Sequence, residues 1–362
     1  MTYIADEFRR ILLPFLIVAG VVLLLLLVAL MVGRAFDDYR YNRRQRLLAR
    51  IRPLVDALLM PNAPDDIADQ LARYVRKHGA LLARLLTGPA RFASGSVIDQ
   101  LRETAAALGL VEQWTKALTN RRWWLRAEAA RALGQLGEPS VLAALVATLD
   151  DEHEEVRAAG VEALGNIGDP RAVPDLVSKL SSQSRHQRVR VVEALHRFGR
   201  AAVPSLLAYE QIHPSDRAMV AELLGVIGAP EAVDDLVRWC EDERPPVRIA
   251  AMQALGSIGL DERTYYYALR GLRSDPEPDV RAMAARALGR SGRRETASYL
   301  ARHLKDEWIV AAHAATGLRA LGASGVAALR SHATDEGTAG DLARQILFEM
   351  GTEITPSEAV AS

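Results

Sequence analysis

The sequence predicts an all-α protein in which one transmembrane helix is followed by a solenoid of helical hairpins. Two observations support this prediction: an apolar run near the N-terminus and a phrase that recurs about every 31 residues. The phrase reads VRAAGVEALGNIG between Val156 and Gly168. Its copies end on the glycines Gly137, Gly168, Gly199, Gly228, Gly259, Gly292, Gly322 and, more weakly, Gly351.

The apolar run predicts a transmembrane helix over residues 11–33, after a short tail over residues 1–10. From Ile11 to Val32 every residue is apolar except Pro14 and Gly20, and about 20 apolar residues suffice to cross the hydrocarbon layer. A cleaved signal peptide is the alternative. The run is longer than the usual apolar region of about 7 to 15 residues in such peptides, and no clear small-x-small cleavage pattern follows it.

The flank after this helix is strongly basic. Residues 34–60 contain seven arginines and three aspartates, so the positive-inside rule keeps this flank in the cytoplasm. We therefore expect a single-pass protein of the bacterial inner (plasma) membrane, with its N-terminus outside and the repeats in the cytoplasm. The arginines set the topology, and a compatible hypothesis is that they also lie against anionic lipid. The candidate lipid-facing residues are Arg40, Arg43, Arg44 and Arg46.

Residues 34–96 form a juxtamembrane basic and helical linker region in this prediction. Pro53, Pro61 and Pro64 divide it into short helices, and the small and polar segment at residues 88–96 is typical of a connection. Tyr39 and Tyr41 interleave with the arginines as in nucleic-acid binders, but their place beside a membrane helix argues against that function. The repeats occupy residues 97–351, and residues 352–362 are a flexible tail.

Each repeat has the pattern of a helical hairpin. Apolar residues recur at helical spacing on both sides of Gly168, which suits the left-handed conformation that ends a helix. Asp169 then caps the next helix and Pro170 fits its first turn. A second glycine stands three residues earlier, as Gly165, and its cost inside a helix predicts a close approach to a neighbouring helix.

One leucine position is the most uniform of the repeat, and we expect it to form the core. Its members are Leu133, Leu164, Leu195, Leu224, Leu255, Leu288, Leu318 and Leu347. An arginine stands seven residues before this leucine. In several copies an acidic residue stands six residues before the arginine. The arginines are Arg126, Arg157, Arg188, Arg217, Arg248 and Arg281.

With these rows the chain resembles HEAT repeats, specifically the short bacterial form named after phycobilisome-lyase HEAT-like units. The resemblance covers roughly residues 97–351 and implies a right-handed α-solenoid. It also implies a ladder of hydrogen bonds between units, assigned to Asp151 and Arg157, Asp242 and Arg248, and Asp275 and Arg281. The acid is replaced by Asn120 and Ser182, and the seventh copy has Ala311 in place of the arginine. We therefore expect weaker coupling near residues 306–322.

Two polar rows lie on one face of the second helix of each unit, because they are four residues apart. In HEAT-like solenoids this helix lines the concave side, so the rows predict a ridge that is acidic at its centre and basic at its ends. A solvated face is the simpler interpretation, and a groove for a partner protein with a basic segment is the sharper one. The candidate groove residues are Arg131, Glu162, Asn166, Glu193, Arg197, Glu222, Gln253, Arg286 and Arg290.

Composition argues against several enzyme classes. The 45 basic and 45 acidic residues balance, and the repeats are net acidic, unlike the basic groove of HEAT-like DNA glycosylases. A single His-Glu pair, His153 with Glu154, cannot build the di-iron site of deoxyhypusine hydroxylases. Cys240 is the only cysteine, so no multi-cysteine zinc site exists. We expect a non-enzymatic scaffold without cofactor or nucleic-acid ligand. The alternative is a lyase-like or other small-molecule-modifying HEAT-like enzyme.

Overall fold

The computed structural model describes residues 27–352, except 29, 37, 40, 44, 61–63, 65, 91, 182 and 183. The chain divides into two units, residues 1–114 and 115–362. Most of the predicted membrane span, the predicted C-terminal tail from residue 353 onward, Arg40 and Arg44 lie outside the described residues. Among the helices of the described part, none is both long enough and apolar enough to cross a membrane.

The first unit consists of helices in its described part. Residues 45–58 form α1, and the described residues between 27 and 43 are also helical. They are followed by α2 (Ile67–Ala90) and α3 (Ser96–Ala107). The backbone of His78 leaves helical geometry, with φ −137° and ψ 24°, and bends α2 there. Ile51, Val55 and Leu58 are buried on one face of α1, as their helical spacing requires.

The second unit is a series of helical hairpins, and α4 (Leu110–Ala117) precedes them. The second helices carry the repeated phrase: α5 (Trp123–Leu136), α7 (Glu154–Ile167), α9 (Arg185–Phe198), α11 (Arg217–Ile227), α13 (Pro245–Ile258), α15 (Pro278–Arg290), α17 (Trp308–Ala320) and α19 (Thr338–Glu349). The first helices are α6 (Leu142–Ala147), α8 (Val173–Ser178), α10 (Val203–Ile212), α12 (Val233–Trp239), α14 (Glu262–Ser274), α16 (Thr296–Arg302) and α18 (Ala323–Arg330).

The predicted punctuation of the hairpins is present. Gly168 ends α7 in the left-handed region, with φ 69°, and the Asp169 side chain accepts a hydrogen bond from the backbone N–H of Arg171. Pro170 begins a short 3-10 turn before α8, where its missing N–H costs no hydrogen bond. Each second helix therefore stops at a fixed point, and the chain reverses into the next unit.

The second helices pack on one another in chain order and form a layer. At Gly134 an added Cβ would lie 2.3 Å from the Cα of Ala163 on the next second helix, and at Gly256 it would lie 2.7 Å from the Cβ of Ala287. The predicted close approach is therefore confirmed. All eight leucines of the conserved position are fully buried, which confirms that this row forms the core.

Arginine–aspartate contacts join successive units. Arg248 donates from Nε and Nη2 to the two carboxylate oxygens of Asp275 in the next unit, both at 2.9 Å, and from Nη1 to the backbone carbonyl of Asp242 in its own unit. We call such an arginine and the carboxylate of the next unit a rung. Further rungs are Arg126 with Asp151, Arg217 with Asp242, and Arg281 with Asp306.

The resemblance identified the residues of the ladder, and the structure shows which of them pair. Asp151 offers Arg157 of the same unit its backbone carbonyl, at 2.8 Å, rather than its carboxylate. The carboxylate of Asp151 is held by Arg126 of the preceding unit, because the loop before each second helix faces the arginine of that unit. Burial opposes the charge of Asp151, but the hydrogen bonds from Arg126 lower its pKa.

Candidate functional site

The candidate groove residues lie on the layer of second helices. Arg131 and Glu162 are half-buried, and the other members are exposed: Asn166, Glu193, Arg197, Glu222, Gln253, Arg286 and Arg290. They stand in register on successive helices because the leucine row and the close-packing glycines fix the rotation of each helix about its axis. The surface is thus a set of variable polar side chains on a repeated apolar frame.

The structure brings four charged members of this surface together between α7 and α9. Glu162, Arg190, Glu193 and Arg197 line a cavity of about 220 Å³, which we call the central cleft. Its other lining residues are the small apolar Ala158, Val161 and Ala194. Small side chains below and long charged side chains around the edge leave space that a partner's side chain can enter.

Arg190 is a member of the central cleft that the sequence pattern did not identify. It stands three residues before Glu193 and seven before Arg197, so the three share one face of α9. A search for polar residues at that spacing within this one helix would have found it. Its presence changes the local charge, since the central cleft contains two guanidinium groups and two carboxylates. The ridge is therefore of mixed sign at this point, and Glu222 on α11 continues its acidic part.

Three candidate residues, Arg131, Asn166 and Arg197, already have polar partners within the solenoid. Arg197 donates from Nη1 to Oδ1 of Asn166 at 2.6 Å, which connects α9 to α7 across the central cleft. Arg131 donates to Glu155 at 3.2 Å. Both contacts are on the surface and are therefore weak enough for a ligand to displace.

A second, smaller cleft of about 30 Å³ lies between α13 and α15. Gln253, Arg286 and Arg290 of the candidate set line it, together with Met252 and Met283. Met252 is buried and Met283 is half-buried, so the polar side chains form most of the exposed surface of this cleft. The basic character predicted for this end of the ridge comes from the two arginines.

Tryptophans mark one edge of the second-helix layer. The Trp123 ring stacks on His153 with 3.9 Å between ring centroids, and His153 accepts a hydrogen bond from the backbone N–H of Glu155 at the start of α7. Trp123 thus packs on the turn that precedes α7. The equivalent Trp308 is 64% exposed.

Groups that could bind metal or act as a nucleophile are not assembled near the rows. Within the described residues, no cluster of three or more His, Cys, Asp or Glu side chains could hold a metal ion. Burial raises the pKa of the Cys240 thiol to about 12, so it is protonated at neutral pH. The side chains of the two polar rows can form hydrogen bonds and ion pairs.

Several solved structures are similar to this chain. The CpcE–CpcF complex of phycocyanin lyase from Nostoc sp. PCC7120 is 20% identical, with 66% of this chain and 94% of that chain covered and a TM-score of 0.32. Human deoxyhypusine hydroxylase is 22% identical, with coverages of 84% and 96% and a TM-score of 0.29. Importin beta is 13% identical, with coverages of 80% and 49% and a TM-score of 0.49. No curated protein matches the sequence significantly.

The family comparison bears on the repeats themselves. The family described as HEAT repeats matches residues 111–196, 148–210, 203–271 and 268–345. These overlapping ranges cover more than half of the chain and include every second helix from α5 to α17. The resemblance to HEAT repeats is thereby confirmed, and the chain belongs to the HEAT-repeat family.

Proposed function

We propose that this protein is a membrane-anchored scaffold that binds another protein along its layer of second helices. The observation that carries the proposal is the central cleft, where Glu162, Arg190, Glu193 and Arg197 surround a floor of small apolar side chains. Charged side chains around such a cavity can orient a partner and pair with its charges. The proposed role is binding, without catalysis by this chain.

The charges of the surface define the partner that we propose. Glu162, Glu193 and Glu222 place three carboxylates on successive second helices, so the partner should carry a basic segment that runs along the layer. Arg190 and Arg197 add a requirement for an acidic or polar side chain at the central cleft. Complementary charge at such a surface raises the encounter rate and excludes partners of the wrong sign.

Membrane attachment through residues 11–33 would give the scaffold its place of action. The apolar run of the sequence supports this part of the proposal, and so do the apolar side chains at its described end, where Leu30 and Met31 are 70% and 74% exposed. In the proposed topology the repeats lie in the cytoplasm of a bacterium. Anchoring would then raise the effective concentration of the partner beside the membrane.

Partner capture tests the proposed surface. The full chain is purified in detergent as bait, and the variant E162K/E193K/E222K is compared with it. We expect the variant to lose the partner, since three carboxylates become ammonium groups, and to keep its helical circular dichroism signal. The control variant E243K/E262K/E336K changes the same charge at exposed glutamates outside the candidate rows and should retain capture. Equal capture by both variants contradicts the proposal.

Topology needs a separate experiment. Labelling of Cys240 is unsuitable, because its thiol is largely buried and protonated at neutral pH. A cysteine introduced at the exposed Glu336, in a chain with C240A, would report accessibility from each side of the membrane. Labelling only after the cytoplasmic side is opened is expected, whereas labelling from the periplasmic side contradicts the proposed orientation.

A further inference from the structure

A basic groove lies in the first unit, apart from the repeats. It has a volume of about 990 Å³ and is lined by side chains from α1, from the helical residues before it and from α2. The lining residues are Tyr39, Tyr41, Asn42, Arg43, Arg46, Leu47, Arg50, His78, Leu81 and Arg84. We call it the arginine groove. Its volume is at the upper end of the range for small-molecule sites, roughly 300 to 1,000 Å³.

Charge in the arginine groove is of one sign. Four arginines and one histidine line it, and none of the described lining residues is acidic. Arg43, Arg46 and Arg50 are separated by three and four residues, which places them on one face of the helical segment. Converging guanidinium groups repel one another, and an anion between them relieves this repulsion. Guanidinium groups also match the oxygens of a phosphate group in two-point hydrogen bonds.

The rest of the arginine groove suits an amphiphile rather than a bare anion. Tyr39 and Tyr41 are both more than 60% exposed and offer phenol rings with a hydroxyl at the tip, as aromatic residues do at the headgroup level of a membrane. Leu47 and Leu81 add half-buried apolar surface to the same groove. Basic and apolar surfaces therefore adjoin each other, a few residues after the apolar run.

We propose that the arginine groove binds the headgroup of an anionic phospholipid, with its phosphate between Arg43, Arg46 and Arg50 and its glycerol region against Leu47 and Leu81. This inference rests on the membrane attachment in the proposed function, which supplies the lipid. It goes further than a basic surface near the membrane, because α2 contributes His78, Leu81 and Arg84 and makes the site a defined groove.

The test is calorimetric titration of the full chain in a non-ionic detergent. Three ligands are compared: dihexanoyl phosphatidylglycerol, dihexanoyl phosphatidylcholine and inorganic phosphate. Phosphatidylglycerol should bind at least about tenfold more tightly than phosphatidylcholine, whose choline would lie among arginines. Inorganic phosphate should bind more weakly still, because it lacks the contact with the leucines. Equal binding of the two lipids, or of phosphate and phosphatidylglycerol, would overturn the proposal.

Variants then locate the site. R43Q/R46Q/R50Q should weaken phosphatidylglycerol binding about tenfold or more. The matched control R52Q/R73Q/K77Q removes three charges from exposed positions of the same unit that do not line the arginine groove, and it should bind as the unaltered chain does. Unchanged binding by the first variant overturns the assignment. Partner capture by the repeats is measured separately, so failure of one proposal is distinguishable from failure of the other.

Discussion

Two junctions between second helices show what holds this solenoid together. At the junction of α13 and α15, Gly256 allows the helix backbones to approach closely, and Arg248 forms a rung with Asp275. At the junction of α9 and α11, the glycine position is occupied by His196, which is exposed, and the two helices contact each other over far fewer residues. Both junctions are formed by the same repeated helix, so differences between them can be traced to individual positions such as Gly256 and His196.

The rung is also altered at the α9–α11 junction. The Nε of Arg188 is buried without a hydrogen-bond partner in the described part of the chain. The next unit has Asp216 near the corresponding loop, but Tyr209 donates its hydroxyl to that carboxylate at 2.5 Å. Asp216 is therefore engaged locally. Because a solenoid depends on terms between nearest neighbours, we infer that the array is least stiff between α9 and α11, close to the central cleft.

The first prediction concerns the leucine core, which the two junctions share. Leu195 and Leu255 are both fully buried, so L195A and L255A should each lower the free energy of unfolding by about 2 to 5 kcal/mol. Urea unfolding followed by circular dichroism measures this loss. If L195A cost much less than L255A, the core itself would be looser at the α9–α11 junction. The two junctions would then differ in their cores as well as in the glycine position and the rung.

The second prediction removes a rung. D275A leaves the guanidinium of Arg248, which is only 11% exposed, without its carboxylate, and should cost about 1.5 to 3 kcal/mol. R188M should cost less than about 0.5 kcal/mol, because its Nε already has no partner. Hydrogen exchange of α13 and α15, or of α9 and α11, reports the local effect. Equal losses for the two variants would show that Arg188 has an important partner after all.

The third prediction tests the close approach. In G256A the new Cβ would lie 2.7 Å from the Cβ of Ala287, so α13 and α15 must separate. We expect a loss of about 1 to 3 kcal/mol, even though alanine favours the helix by itself. H196A is the counterpart and should change the stability by less than about 0.5 kcal/mol, since His196 is exposed. A stabilised G256A variant would contradict the packing argument.

The sequence predicted features that each helix encodes within itself. Leucine periodicity, the capping of α7 by Gly168 and the packing role of Gly165 follow from local helical geometry, and the structure agrees with them. The rungs could be predicted only in part. The resemblance implied a ladder between units and the residues that form it, but it did not give the partners: each carboxylate reaches the arginine of the unit before, and only the stacking of units determines this contact.

The candidate surface was predictable to the same degree. The two polar rows of the second helices identified exposed positions, because these positions carry polar residues in most copies. Arg190 escaped because the equivalent position is apolar in most other copies, for example Ala159 and Ala250, so the alignment of copies shows no polar row there. A residue that serves one cleft only leaves no trace in a repeat pattern. The coupling expected to weaken near residues 306–322 is retained on one side, where Arg281 forms a rung with Asp306.

The fourth prediction is the smallest at neutral pH and concerns the rung of Arg217 with Asp242. Hydrogen bonds from Arg244 and then from Arg217 outweigh burial and lower the pKa of Asp242 from its ordinary 3.8. A lowered pKa in the folded state means that the carboxylate stabilises the fold at all pH values above 3.8 and loses this contribution as the pH falls below it. The difference in urea midpoint between the unaltered chain and D242N should therefore be constant between pH 7 and about 5 and become smaller below pH 4. The urea midpoint of D242N should fall less in acid than that of the unaltered chain. D234N changes a carboxylate that is 79% exposed, and its midpoint should fall as much as that of the unaltered chain, because solvent screens the charge of Asp234. An acid transition that is the same in D242N and the unaltered chain would show that protonation of Asp242 is not what destabilises the fold in acid.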